Sequence, residues 1–104
     1  MDTARLGPGR STVVFRIVQE ALTNIARHAA ATKADISLHE EFGWLILEVR
    51  DNGKGILAEE VAGARSLGLL GMQERALVFG GEVTVKGVPG RGTVVTLRMP
   101  FPAQ

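Results

Sequence analysis

The sequence predicts an α+β fold, a two-layer sandwich with helices on one face of a mixed, mainly antiparallel sheet. Residues 11–31 show a helical period and contain no Gly or Pro, so they predict one long helix. Two pairs of alternating apolar segments, each joined by a short turn with glycine, predict two hairpins on either side of a second helix. Strand pairs separated by helices are typical of this class.

Composition limits the domain organisation and the function. The chain has 104 residues, 45% hydrophobic and 22% charged, which indicates one globular domain. A net charge of +1 does not favour nucleic-acid binding, and the absence of cysteine excludes disulfides and thiolate metal sites. There is no signal-peptide pattern and no apolar run of bilayer length. We expect a soluble, cytoplasmic domain without membrane contact, formed by residues 11–104 after a loosely ordered leader at 1–10.

The long helix carries two different faces. Ser11 or Thr12 is expected to cap it. Its apolar face is predicted to contain Val14, Val18, Ala21, Leu22, Ile25 and Ala29. A second cluster contains Glu20, Asn24, Arg27 and His28, which offer a carboxylate, an amide, a guanidinium and an imidazole together. From the helix alone, this cluster is equally compatible with a solvated face and with a set of ligands for a polar group.

The rest of the chain predicts strands that end in polar or glycine-rich segments. Alternation gives one hairpin through Ile36 and Leu38 and then Leu45, Leu47 and Val49, ending at Asp51. A second hairpin contains Val83 and Val85, then Thr93, Val95, Leu97 and Met99, while Glu48, Arg50, Thr96 and Arg98 alternate outward. Between the hairpins, residues 56–61 predict one helical turn, 62–67 a mobile segment, and 69–79 a helix stopped by Gly80 and Gly81.

Several glycines follow strand ends, which raises the question of a nucleotide. No Walker loop is present, because the G-x-x-x-x-G-K-[ST] spacing occurs nowhere, and the Rossmann spacing is also absent. A single D-x-G-x-G, as at residues 51–55, is more often a turn. In combination with Gly68-x-x-Gly71 at a helix start, however, a carboxylate at a strand end predicts a nucleotide pocket.

Four motifs in this order resemble the GHKL ATPase superfamily of gyrase, heat-shock chaperone, histidine kinase and MutL types. E-A-L-T-N with R-H-A at residues 20–29 resembles the N box, and D-N-G-K-G at 51–55 the first glycine box. G-L-L-G-M-Q-E-R-A at 68–76 resembles the second glycine box, and G-R-G-T at 90–93 the closing G-T motif. Within the superfamily, the chain is most similar to the catalytic, ATP-binding domain of NarL/DesK-type sensor histidine kinases, which have a Bergerat-type fold.

The resemblance implies a role for each matching residue. Asp51 would accept a hydrogen bond from the adenine amino group, and Asn24 would hold Mg²⁺ against the phosphates. Glu20 matches the family carboxylate that activates a nucleophile, so Glu20 and Asn24 are the catalytic candidates. Residues 56–67 match the position of the ATP lid. The ATP-binding set is Asn24, Arg27, His28, Asp51, Gly53, Gly55, Gly68, Leu69, Gly71, Met72 and Thr93.

The function implied is transfer of the γ-phosphoryl group of ATP, with Mg²⁺, to a histidine on a separate dimerisation domain of the same kinase. A response regulator would act downstream, and the parent kinase can be membrane-anchored. Because the chain shows neither acceptor helices nor the strand that usually precedes the N box, we expect it to be a fragment. Two alternatives stay open, an anti-sigma-factor serine kinase of the same superfamily and a degenerate nucleotide-binding scaffold.

Overall fold

The computed structural model describes residues 6–26, 31–53, 69–88 and 90–101. It contains α1 (Gly7–Asn24), β1 (Ala34–Glu41), β2 (Trp44–Asp51), α2 (Leu69–Leu77), β3 (Glu82–Val88) and β4 (Gly92–Pro100). The predicted order of hairpin, helix and hairpin after a long helix is confirmed. The helical turn and lid predicted at residues 56–67 lie outside the described residues. Neither described helix is long and apolar enough to span a bilayer.

Helix α1 begins earlier than the sequence predicted. It starts at Gly7 rather than at Ser11, with Pro8 in the first turn, where the fixed φ of proline suits a helix. The Thr12 hydroxyl does not cap the helix, because it donates to the Pro8 carbonyl at 2.9 Å. Leu6, at the cap position, is 5% exposed and belongs to the core. The last part of the predicted leader is therefore helical.

The buried face of α1 is also displaced from the prediction. Its fully buried residues are Val13, Ile17 and Ala21, of which only Ala21 was predicted. Three others of the predicted face are half-buried and pack against the core: Val14, Val18 and Ile25. Leu22, predicted to be buried, is 39% exposed. The α-helix ends at Asn24 and residues 25–26 continue as a π-helical turn, while residues 27–30 of the predicted helix lie outside the described residues.

The three strand pairings among the described residues are antiparallel, and the strand order is β1-β2-β4-β3. The two central strands carry the inner face of the sheet, and both helices pack on that face. Its most deeply buried side chains are Leu45, Leu47, Val49, Leu97 and Met99. The outer face alternates with them as predicted, with Arg50 and Arg98 exposed.

Strand β1 departs from the predicted hairpin with one buried face. Ile36 pairs with Val49 and shares its face, yet Ile36 is 50% exposed. The reason is the position of α1, which packs mainly over β2 and β4, so that Leu38 alone on β1 is half-buried against the core. A strand-pattern argument cannot foresee which strand a helix will cover.

Two short glycine-containing turns set the geometry at one end of the sheet. Phe42 and Gly43 form a two-residue hairpin loop with φ of 50° and 82°, as in a type I′ turn. Gly80 ends α2 with φ of 74°, while the Gly81 N–H donates to the Ala76 carbonyl at 2.9 Å. This is the Schellman arrangement, and it confirms the predicted glycine stop.

The same end is closed by aromatic side chains, and we call it the aromatic end (Arg10, Phe79, Pro100 and Phe101). The Arg10 guanidinium lies 5.1 Å from the centroid of the Phe79 ring and 5.9 Å from that of Phe101. Its Nε donates to the Pro100 carbonyl at 3.3 Å. The Phe101 N–H donates to the Gly43 carbonyl at 2.8 Å, which fixes the chain after β4 to the first hairpin.

Candidate nucleotide-binding site

The topology brings the predicted site residues that the structure describes to the opposite end of the sheet. Because Arg10 is fixed at the aromatic end, α1 runs away from it and places its last turn, with Glu20 and Asn24, at the other end. There β2 ends at Asp51 and β4 begins at Gly92. Helix α2 finishes near the aromatic end, so its first turn also faces this way. We call this the polar end (Asn24, Asp51, Asn52, Gly53, Gly92 and Thr93).

Asp51 is the one buried charged residue in the described part of the chain. It is 6% exposed, and its Oδ1 accepts the Gly53 N–H at 2.7 Å. Burial of a carboxylate is costly unless it is hydrogen-bonded, and this backbone bond satisfies it only in part. The remaining lone pairs make Asp51 a fixed acceptor for an N–H donor of a ligand.

Gly92 allows two strand ends to approach closely beside this carboxylate. Its φ is 120°, and a Cβ at this position would overlap the Asp51 carbonyl oxygen. Thr93 follows on β4 and is half-buried. Since Arg50 pairs with Val94, Thr93 is the next residue across from Asp51 and lies on the same face of the sheet. The predicted support of the Asp51 site by Thr93 is compatible with this register.

A site residue that sequence reasoning missed is Asn52. Its Oδ1 accepts the backbone N–H groups of Thr32 and Lys33, each at 3.0 Å. Its Nδ2 donates to the Thr32 hydroxyl at 2.9 Å, and its own N–H donates to the Lys33 carbonyl at 3.2 Å. The tendency of Asn to bond to backbone after a strand was the available signal, but its partners are distant in sequence.

The other predicted site residues are placed as follows. Glu20 and Asn24 are half-buried on the last turns of α1, and Gly71 is half-buried in α2. Met72 is 1% exposed and belongs to the core, so only its backbone could approach a nucleotide. Leu69 is the first residue of α2. Four predicted residues lie outside the described ranges: Arg27, His28, Gly55 and Gly68.

The described part of the chain offers no metal cage. No three of its His, Cys, Asp or Glu side chains come together in a way that could hold an ion. Mg²⁺ is usually held by one or two protein oxygens, several waters and the phosphates of a substrate. The family resemblance predicts that the Asn24 amide oxygen is one of these protein oxygens, and Asn24 lies on the last turn of α1.

A buried acceptor and a glycine that admits close backbone contact thus lie at the same end of the sheet as the last turn of α1. Residues 9–103 match the family described as Histidine kinase-, DNA gyrase B-, and HSP90-like ATPase. The chain belongs to this ATPase family. The prediction of a GHKL domain is confirmed, and the family description identifies ATP as its nucleotide.

Individual relatives agree with the family match. Sensor histidine kinase LiaS of Bacillus subtilis is 43% identical over 104 residues, which cover 99% of this chain and 28% of LiaS. Sensor protein VraS of Staphylococcus haemolyticus is 38% identical over 85% of this chain and 25% of VraS. The ATP binding domain of PrrB from Mycobacterium tuberculosis has a TM-score of 0.71 and 27% identity, over 91% of this chain and 68% of that one.

The ATPase domain spans about a quarter of the length of the curated relatives it matches. LiaS is named a sensor histidine kinase and VraS a sensor protein, and the PrrB structure is an ATP binding domain. The predicted fold class is confirmed together with the family.

Proposed function

We propose that this ATPase domain is the catalytic, ATP-binding part of a sensor histidine kinase. It would bind Mg²⁺-ATP at the polar end and present the γ-phosphoryl group to a histidine on a separate dimerisation domain. The observation that carries the proposal is Asp51, a buried carboxylate at a strand end with acceptor capacity left after its bond to Gly53. The adenine amino group is a donor that fits this acceptor.

The predicted site residues would have separate roles in binding Mg²⁺-ATP. Asp51 would recognise the base, with Thr93 beside it on the inner face. Asn24 would contribute its amide oxygen to Mg²⁺, which when bound neutralises phosphate charge and orients the transferred group. Arg27 and His28 are proposed as donors to phosphate oxygens, and Glu20 as the carboxylate near the reacting group. Positioning and charge neutralisation account for most of the catalysis in phosphoryl transfer.

The sensor histidine kinase is favoured over the alternative of an anti-sigma-factor serine kinase. Support comes from the two relatives at 43% and 38% identity, both of which are named as sensors. A response regulator would then receive the phosphoryl group from the dimerisation domain.

A transfer assay tests the proposal. The chain is incubated with γ-labelled ATP and Mg²⁺, alone and with a dimerisation domain from the parent kinase supplied in trans. We expect acid-labile label on the added domain only, since phosphohistidine is acid-labile. Acid-stable label on a serine, or label on neither protein despite ATP binding, would contradict histidine kinase activity. Asn24→Ala should remove the Mg²⁺-dependent part of the ATP affinity and leave adenosine binding intact.

A further inference from the structure

Asn52 is solvent-exposed, yet its side chain makes three hydrogen bonds to a segment about 20 residues away. One amide oxygen accepts two adjacent backbone N–H groups while the amide nitrogen donates to a hydroxyl. An exposed polar side chain is ordinarily satisfied by water, and ordering it costs conformational entropy. We therefore expect the Asn52 side chain to act mainly by holding Thr32 and Lys33, just before β1, in place.

The two segments that Asn52 joins carry different halves of the proposed site. Asn52 directly follows Asp51, which would bind the base. Thr32 lies in the connection that leaves α1, the helix with Asn24 on its last turn. The sheet ladder between β1 and β2 reaches Ala34, which pairs with Asp51. The hydrogen bonds of Asn52 also attach Lys33 and Thr32, which precede β1 on the side of the helix, to the end of β2.

Asp51 itself is held independently of the Asn52 side chain. It belongs to β2, its carboxylate accepts the Gly53 N–H, and its carbonyl lies against Gly92. Loss of the Asn52 amide would leave these contacts in place. The segment that loses support is the one just before β1, at Thr32 and Lys33.

We propose that Asn52 is a positioning residue that holds the phosphate- and Mg²⁺-binding end of α1 in register with the base-binding carboxylate. This inference rests on the proposed function, because it assumes that phosphates bind beside α1. A positioning role for Asn52 differs from general stabilisation of the fold in the ligands that it affects. A merely structural residue would lower the melting temperature and weaken every ligand alike, whereas loss of register weakens the phosphate contribution alone.

The experiment measures ATP affinity with Mg²⁺ and adenosine affinity, by calorimetry and NMR titration, in the intact chain. Asn52→Ala should lower the ratio of ATP to adenosine affinity by about fivefold or more, while adenosine affinity changes little. Thr32→Val removes only the hydroxyl partner and should give a smaller loss in the same direction. Ser37→Ala, an exposed uncharged change on β1, is the matched control and should leave both affinities unchanged.

The outcomes separate this inference from the proposed function. If the unmodified chain binds ATP and the affinity ratio is the same in Asn52→Ala, the positioning role is wrong and the ATP site stands. An equal loss for ATP and adenosine would likewise overturn it, since that is the result of a structural role. Failure of the unmodified chain to bind ATP would overturn both proposals. If Asn52→Ala does not fold, Thr32→Val decides by the same ratio.

Discussion

The aromatic end and the polar end of the sandwich are built from the same two central strands, but their contacts differ in kind. At the aromatic end, rings, a guanidinium and close glycine contacts fill the space between helices and sheet. At the polar end, a buried carboxylate and an amide are held by backbone hydrogen bonds. The first kind of contact stabilises the fold, whereas the second leaves hydrogen-bonding capacity for a ligand.

The comparison predicts that substitutions at the two ends separate stability from nucleotide binding. Substitutions at the aromatic end should lower stability and leave ATP affinity unchanged. Substitutions at the polar end should change ATP affinity, with or without a change in stability. The variants below test this separation, in decreasing order of expected effect.

Gly92→Ala should have the largest effect, because it disturbs the strand ends that form the site. The added Cβ would overlap the Asp51 carbonyl at a φ of 120° that is strained for alanine. We expect a loss of about 3 kcal/mol or more in the free energy of unfolding, together with weakened ATP binding. Denaturant unfolding and calorimetry measure the two effects.

Gly81→Ala is the matched control at the aromatic end. Its Cβ would lie 2.6 Å from the Arg98 carbonyl oxygen and 2.7 Å from the Met99 Cβ. Stability should fall by about 2 kcal/mol through overpacking, with the ATP affinity of the folded protein unchanged. Equal losses of ATP affinity in Gly81→Ala and Gly92→Ala would remove the distinction between the ends.

Arg10→Ala should have a moderate effect on stability alone. It removes contacts with two rings and the hydrogen bond to the Pro100 carbonyl. We expect a loss of about 1–2 kcal/mol in the free energy of unfolding. Arg16→Ala, an exposed change on the same helix, should stay within about 0.5 kcal/mol. If both variants unfold at the same denaturant concentration, the Arg10 contacts do not stabilise the aromatic end.

Phe42→Asn should have the smallest effect and the opposite sign. Phe42 is 95% exposed and has a φ of 50°, a conformation that asparagine tolerates better in a type I′ turn. The free energy of unfolding should rise by about 0.5–1 kcal/mol, and the melting temperature by a few degrees. Phe42→Val should lower both, since a β-branched residue is strained there. A lower melting temperature for Phe42→Asn would contradict this explanation.

The parts of the fold that follow from local rules were predictable from the sequence. The strand alternation predicted β2 and β4, and the paired Gly80 and Gly81 predicted the end of α2. The start of α1 was not predicted, because Gly7-Pro8-Gly9 is typical of a turn. Here Leu6 is buried, and Gly9 lets the Phe79 ring approach the helix, since a Cβ there would lie 2.6 Å from its Cζ. Tertiary packing therefore overrides the local preference.

The candidate site shows the same division between local and long-range information. The sequence placed Asp51 at a strand end, and the motifs assigned it to the base. Neither could show that Gly92 lies against the Asp51 backbone or that Asn52 bonds to Thr32 and Lys33. Both contacts depend on which segments meet in space, which a single sequence does not specify.

The central claim is that Asp51 is kept buried for nucleotide binding rather than for stability, and Asp51→Asn tests it most directly. The amide has the same shape, but its single oxygen cannot fully serve both the Gly53 N–H and an adenine amino group. Calorimetry should show ATP and ADP affinity lower by about tenfold or more, with an unchanged or higher melting temperature because a buried charge is removed. Unchanged ATP affinity together with a large loss of stability would contradict the claim.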